Sequence, residues 1–213
     1  MKLNCNIKSI DYKTAINFLL PRHYSNRKPT IKWAFGLFIE NDLKAVMTVG
    51  KPASNSLCVG VCGKEYSKHV YELNRLCRVD NLEVPLSFFV SRCLKMLKKE
   101  NIILVSYADT AMNHVGFIYQ ACNFYYTGKT KERTDKYTEG NKHSRHYDKD
   151  KKELYRKVRS SKYRYIYLCY QEKKQIREIY NKLNYTILPY PKEDNSYYKL
   201  GDFIEPKIIK LNI

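Results

Sequence analysis

Hydrophobic positions along this chain change period several times, and each change marks a short strand or a short amphipathic helix. Ala15, Ile16 and Leu19 share one helical face between Asp11 and Leu20, and Pro21 ends that helix. The polar run Arg22 to Thr30 reads as a loop. WAFGLFIE and LKAVMTVG are strand-like with Asn41-Asp42 in the turn between them, which predicts a hairpin. Lys51 to Lys68, rich in Gly, Ser, Pro and Cys, reads as a long connection. Val70 to Asp80 resumes as a strand in which Tyr71, Leu73, Arg75 and Cys77 alternate with polar neighbours. Leu86, Phe89, Val90, Cys93, Leu94 and Leu97 then recur at helical spacing, opposite a face carrying Arg92, Lys95, Lys98 and Lys99.

The densest stretch runs from Val105 to Phe124. An apolar strand, Ile102 to Asp109, leads into a segment with Val115, Ile118, Tyr119 and Cys122 at helical spacing, so Asp109 and His114 fall near the crossing. In open α/β sheets ligands gather at the carboxyl ends of strands, which makes both residues candidates for chemistry. Asp109 could equally cap a helix, and His114 could equally be a structural histidine. Pro85 to Ser87 begins the preceding helix, where amides and the dipole favour a phosphate and where Ser87 and Ser91 could add hydroxyls; capping is the competing role for Ser87. An aromatic strand around FYYTGKT, a strand from Lys162 to Tyr170 and a helix bearing Ile176, Ile179, Tyr180 and Leu183 complete a mixed α/β pattern.

The 213 residues suffice for one well-buried domain with an appendage, and no apolar run approaches a membrane span. MKLNCNIKSIDYK lacks the features of a secretory signal, so a location inside the cell is expected. The seven cysteines are scattered and odd in number, which points to buried thiols, and Cys58 and Cys62 lack the second pair a zinc site needs. Charge changes the picture more. A net +18 with twenty tyrosines favours a polyanionic partner, DNA or RNA, over a merely solvated lysine-rich surface. Between Lys129 and Arg164, fourteen Lys/Arg stand against six Asp/Glu, interleaved with tyrosines. Arg145, His146, Arg156, Arg159, Lys162 and Arg164 are the candidate clamp on a nucleic-acid backbone.

ELNRLCRVD, LSFFVSRCLKML and LVSYADTAMNHVGFIYQACNFYYTG, with RHYSNRKP before them and SKYRYIYL and PYPK after, resemble the Mom family of phage DNA-modification proteins. The resemblance covers most of the chain. It implies a GNAT acyltransferase-like fold, an α/β mixed central sheet flanked by helices with a basic C-terminal extension. Residues 1–130 would form the catalytic core, and 131–213 would complete the sheet and contact double-stranded DNA. The implied activity is antirestriction: conversion of adenine to N6-carbamoylmethyl (acetamido) adenine, in the host cytoplasm if the chain is phage-encoded. Asp109, His23 and Tyr24 would then act on the amine or hold iron, and Tyr119 would serve as a general acid beside His114. Acyl-CoA (acetyl-CoA) would lie along Val84 to Ser91, with Arg75 on a phosphate or in a salt bridge with Glu72 or Asp80.

One departure stands out. A GNAT enzyme normally cradles the donor's diphosphate in a glycine-bearing loop, and here the matching turn is VPLSFF. A target adenine must leave the base stack to be modified, and Trp33, Tyr24 and Tyr107 are candidates to receive it. Two other readings stay open: an acyltransferase acting on a protein, tRNA or small-molecule amine, and a non-catalytic DNA-binding protein on this fold. The tyrosine-rich strand Tyr163 to Tyr170 is a candidate for pairing across a homodimer.

Overall fold

Strand alternation buries both faces of one long sheet in this protein, seen in a computed structural model that describes residues 4–137, 155–192 and 207–210. The sheet runs in the order β1 (Cys5–Ser9), β2 (Trp33–Ile39), β3 (Asp42–Gly50), β4 (Val70–Arg78), β5 (Ile102–Asp109), β9 (Lys162–Cys169) and β6 (Tyr125–Lys129). Every neighbouring pair is antiparallel except β4 and β5. A second sheet of β7 (Arg133–Lys136), β8 (Tyr155–Arg159) and β10 (Ile208–Lys210) stands apart.

On one face, α3 (Leu86–Leu97) lays Phe89, Val90, Cys93, Leu94 and Leu97 against Leu37, Met47, Leu73, Leu104 and Tyr165. Burying that stripe, about 1.5–3 kcal/mol per large side chain, is what docks the helix. The other face carries α1 (Tyr12–Leu19), packed through Ala15, Phe18 and Leu19 on Ala34, Val46 and Cys77. Beside it α2 (Asn55–Tyr66) and α5 (Lys173–Asn181) cover Val70, Ile103, Val105 and Ile166 with Cys58, Val61 and Ile179. All seven cysteines are free thiols. No helix of the described residues is long and apolar enough to cross a membrane.

Four expectations need correction. The segment Lys51 to Lys68 is not a loop but contains α2, capped by Ser54 accepting from the Leu57 N–H at 3.3 Å and broken at Cys62 and Gly63. Its stripe of Leu57, Cys58, Val61 and Cys62 outweighs its glycines. The hairpin turns one residue early, at Glu40 and Asn41, because both take positive φ as a tight primed turn requires. The helix after β5 is short: α4 spans only Phe117–Ala121, leaving His114 in the loop before it. Finally, the strand expected to be free to pair with a second copy is interior over half its length: Tyr163 to Ile166 lie between β5 and β6 with partners on both sides, and only the stretch after Ile166 has β5 alone beside it.

Two irregularities in β4 create the site. β3 and β4 change register between Thr48 and Val49, so Asn74 is an extra residue in β4. The Asn74 amide donates to the Thr30 carbonyl at 2.7 Å and its Oδ1 accepts from Thr48 Oγ1 at 2.7 Å, which pins the bulge. The extra residue interrupts the simple alternation expected here. Leu73 and Leu76 share the α3 face, while Glu72 and Arg75, three apart, share the opposite one. The parallel ladder with β5 covers only Val70 to Glu72, opposite Ile103 to Val105. Beyond it the strands part: β4 stays with β3, and β5 follows β9 down to the pair Asp109–Lys162.

Candidate active site

The gap where β4 and β5 part is a cavity of about 980 Å³ that reaches from the start of α3 to the loop after α1. Two different walls line it. Leu76, Leu82, Val84, Pro85, Leu86, Phe117 and Ile118 form an apolar side at the ends of α3 and α4. Arg22, His23, Tyr24, Arg75, Tyr107, Lys131, Arg133 and Lys162 form a polar, cationic side. Gly116, at φ +89, turns the chain between them; a Cβ there would run into the Tyr165 ring.

Most residues expected at a site do meet here. His23 stacks on Tyr24 with ring centroids 4.4 Å apart, and His114 meets Tyr24 edge-on at 6.3 Å. His23 is buried, its Nδ1 accepting from the Ser25 N–H at 3.2 Å. Burial first, then the nearby charges of Arg75, His114 and Lys162, push its pKa down to about 3, so the imidazole is neutral. Burial also lowers the pKa of His114, against the pull of Asp109. Arg75 donates to the carbonyls of Asn74 (2.6 Å) and Arg27 (3.2 Å), and Glu72 and Tyr24 lie within its field. Tyr119 reaches the Ser106 hydroxyl, and burial pushes its phenol up to about 12.

Asp109 is committed elsewhere. Its Oδ2 accepts from Lys162 Nζ at 2.6 Å; its Oδ1 accepts from Ser160 Oγ at 2.5 Å and from the Ala111 N–H at 3.0 Å. Burial opposes the charge, yet the Lys162 ammonium and these hydrogen bonds outweigh it and hold the carboxyl below the usual range. An acid so engaged is a weak proton acceptor. Nor do these residues suit iron: Asp109 is bound to an ammonium, and among the described residues no three His, Cys, Asp or Glu side chains gather.

The remaining candidates scatter. Val84 lines the apolar wall, whereas Ser91 shares a hydrogen bond with Cys122 Sγ and Ser87 is neither on the cavity nor a cap, α3 having no side-chain cap at Pro85. Arg159 borders the cavity while paired with Asp135 at 2.6 Å, and Arg156 sits on β8. Arg164 is spent locally: it donates to Thr127 Oγ1 and O at 2.9 and 2.8 Å and lies 3.4 Å over the Tyr185 ring. Arg145 and His146 lie outside the described residues. Glu72, expected only as a partner for Arg75, lines the cavity where the β4–β5 ladder ends. Its only sequence signal is an acid between Tyr71 and Leu73, both buried strand positions.

A family model described as the Mom protein family matches residues 4–192. No curated protein matches the sequence. Among solved structures, a provisionally named acetyltransferase from Salmonella typhimurium, with its cofactor acetyl-CoA, is similar at a TM-score of 0.50 and 6% identity, covering 79% of this chain and 96% of that one. An N-acetyltransferase from Staphylococcus aureus Mu50 aligns at a TM-score of 0.49 and 12% identity, over 78% of this chain and 99% of that one. The likeness to the Salmonella protein shows the fold: this is a GNAT-like mixed sheet flanked by helices.

Proposed function

Because this chain belongs to the Mom protein family, we propose that it is a DNA-modifying transferase that places an acyl-derived group on the N6 amine of adenine, carbamoylmethyl being the substituent the family resemblance implies. The observation that carries this reading is the two-walled cavity. Its cationic side suits the phosphates of a nucleic acid, and its apolar side suits an uncharged donor arm.

The residues present fit an acyl thioester in part. Beyond Glu72 the β4 edge has no ladder partner; the Leu73 and Asn74 carbonyls are taken by Ser106 Oγ and Arg75, and the backbone groups further along the strand can bond an extended, amide-bearing arm. The N-terminus of α3 opens on the same wall and offers amides to a diphosphate, although the loop before it has no glycine and carries Asp80 and Glu83. When bound, a thioester supplies an activated carbonyl carbon and a thiolate leaving group. Acylation of N6 by a glycyl thioester would give N6-glycyl adenine, an isomer of the carbamoylmethyl product; attack of the glycyl amine on adenine C6, with the original N6 leaving as the carboxamide nitrogen, would convert the one into the other without an oxidant or reductant.

The chain's own groups do the rest. Arg75, Lys131 and Arg133 meet phosphates around an extruded nucleotide. The His23–Tyr24 stack offers a flat, uncharged platform for the base. Tyr119, on the donor side, keeps its proton, and by exchanging its bond to Ser106 Oγ for one to the departing group it would donate there.

Mass spectrometry of nucleosides from plasmid DNA, after expression of the protein in cells, tests the reading. A new deoxyadenosine species heavier by one carbamoylmethyl group is expected, with fragmentation giving its connectivity. Unmodified DNA beside abundant folded protein would overturn it.

A further inference from the structure

Of the two acids that line the cavity, Asp80 is exposed at the rim and Glu72 stands at the point where β4 and β5 separate. We propose that Glu72 is the catalytic base that takes the proton from the attacking amine, and that Asp109 is a positioning residue holding Lys162. This rests on the proposed function, that an amine is acylated in this cavity.

Three observations carry it. The Asn74 bulge puts Glu72 on the cationic side of β4 with Arg75, facing the space that an acceptor entering by that wall would occupy. Among the described residues no hydrogen bond or ion pair engages its carboxylate, in contrast to the three bonds on Asp109. The groups that face it from each packed element are Arg75 on its own strand, Tyr107 on β5, Tyr119 on α4, Lys162 on β9 and Cys58 on α2. Burial raises its pKa, and the charges of Arg75 and Lys162 only partly offset that, which moves the carboxylate toward the range in which it competes for a proton.

In the step, the amine lone pair forms the N–C bond to the donor's carbonyl carbon, and the carbon–sulfur bond breaks with its electron pair on sulfur. The amine proton passes to Glu72. The thiolate takes a proton from solvent, and Glu72 returns its own to solvent. Because the adenine amine is a poor nucleophile, its lone pair being drawn into the ring, a base in contact with the N–H as the bond forms matters more here than for an alkylamine.

The test compares wild type, Glu72→Gln and Asp109→Asn as full chains, by single-turnover modification of duplex DNA from pH 5 to 9, duplex affinity and thermal melting. Glu72→Gln is expected to lose about 10²–10⁴-fold in rate with affinity within about twofold, and to lose the acid limb that the wild type shows. Asp109→Asn keeps that limb at a reduced rate. Glu72→Gln also melts higher than wild type at pH 8, and the gap closes on acidification, because a carboxyl with a raised pKa destabilises the fold only where it is ionised. A Glu72→Gln protein with the wild-type rate and acid limb would overturn the proposal while leaving DNA modification intact. Unmodified DNA from the wild type would overturn both.

Discussion

The two walls of the cleft are cut from one strand and differ in almost everything else. Leu73 and Leu76 of β4 belong to the apolar wall, with Val84, Leu86 and Ile118, while Glu72 and Arg75 of the same strand belong to the cationic wall with His23, Tyr24 and Lys162. One extra residue, Asn74, makes this possible, and its two hydrogen bonds to Thr30 and Thr48 fix where the faces exchange. The apolar wall is helix ends packed on the sheet, held by burial. The cationic wall is loops and the tips of β5 and β9, held by hydrogen bonds and charge. A site divided in this way would receive an uncharged arm from one side and a polyanion from the other, with Glu72, the proposed base, on the cationic side beside Arg75.

Charge reversal on the polar wall should break that division most severely. Lys131→Glu with Arg133→Glu is expected to lower duplex affinity on the order of 100-fold at low salt and to flatten the salt dependence by about 0.9 for each phosphate no longer neutralised. Affinity measured across a salt series decides it, an unchanged slope assigning phosphate binding elsewhere. Acidification comes next. His23 has its pKa pushed down to about 3 from an ordinary value near 6.5, so the unfolded chain binds its proton first as pH falls. The stability it contributes is complete above pH 6.5 and drains away toward pH 3, costing about 2 kcal/mol at pH 5. His23→Gln should therefore melt with a flatter dependence between pH 7 and 5 than wild type. Asp109→Asn ranks third. It leaves Lys162 without its counter-charge, but that ammonium is about one-third exposed, so the loss is about 1–2 kcal/mol in denaturant melts rather than the larger cost of a fully buried pair.

Much of the cleft is legible in the residues alone. Short apolar, β-rich runs and the alternation of Val70 to Asp80 give the strands from β2 to β5, the spacing of Phe89, Val90, Cys93, Leu94 and Leu97 gives α3, and His23, Tyr24, Asp109, His114 and Arg75 do come together. What stays hidden has physical reasons. The stripe of α2 is interrupted by Gly60 and Gly63, residues that usually signal loops, and its helix needs burial on Val70 and Ile103 to form. The Asn74 bulge leaves no trace in an alternation that still looks regular. Asp109 draws attention because it ends a strand, but its commitment to Lys162 depends on a partner 53 residues away. Glu72 escapes notice because no local pattern separates an acid that faces a cavity from one that faces water.

The smallest effect belongs to the apolar wall, and it tells whether the two walls act separately. Phe117 begins α4 and is 43% exposed at the cavity edge, so Phe117→Ala removes little from the core and adds no charge. Half a phenyl face withdrawn from a ligand is worth about 1 kcal/mol. The expected outcome is a KM for the thioester donor about fivefold higher, with single-turnover kcat, melting temperature and duplex affinity unchanged. Those four readings split the possibilities cleanly, because a donor bound on the cationic wall would leave KM untouched. A fall in duplex affinity would place nucleic acid against the helix ends instead, and would dissolve the division of labour that the bulge in β4 imposes.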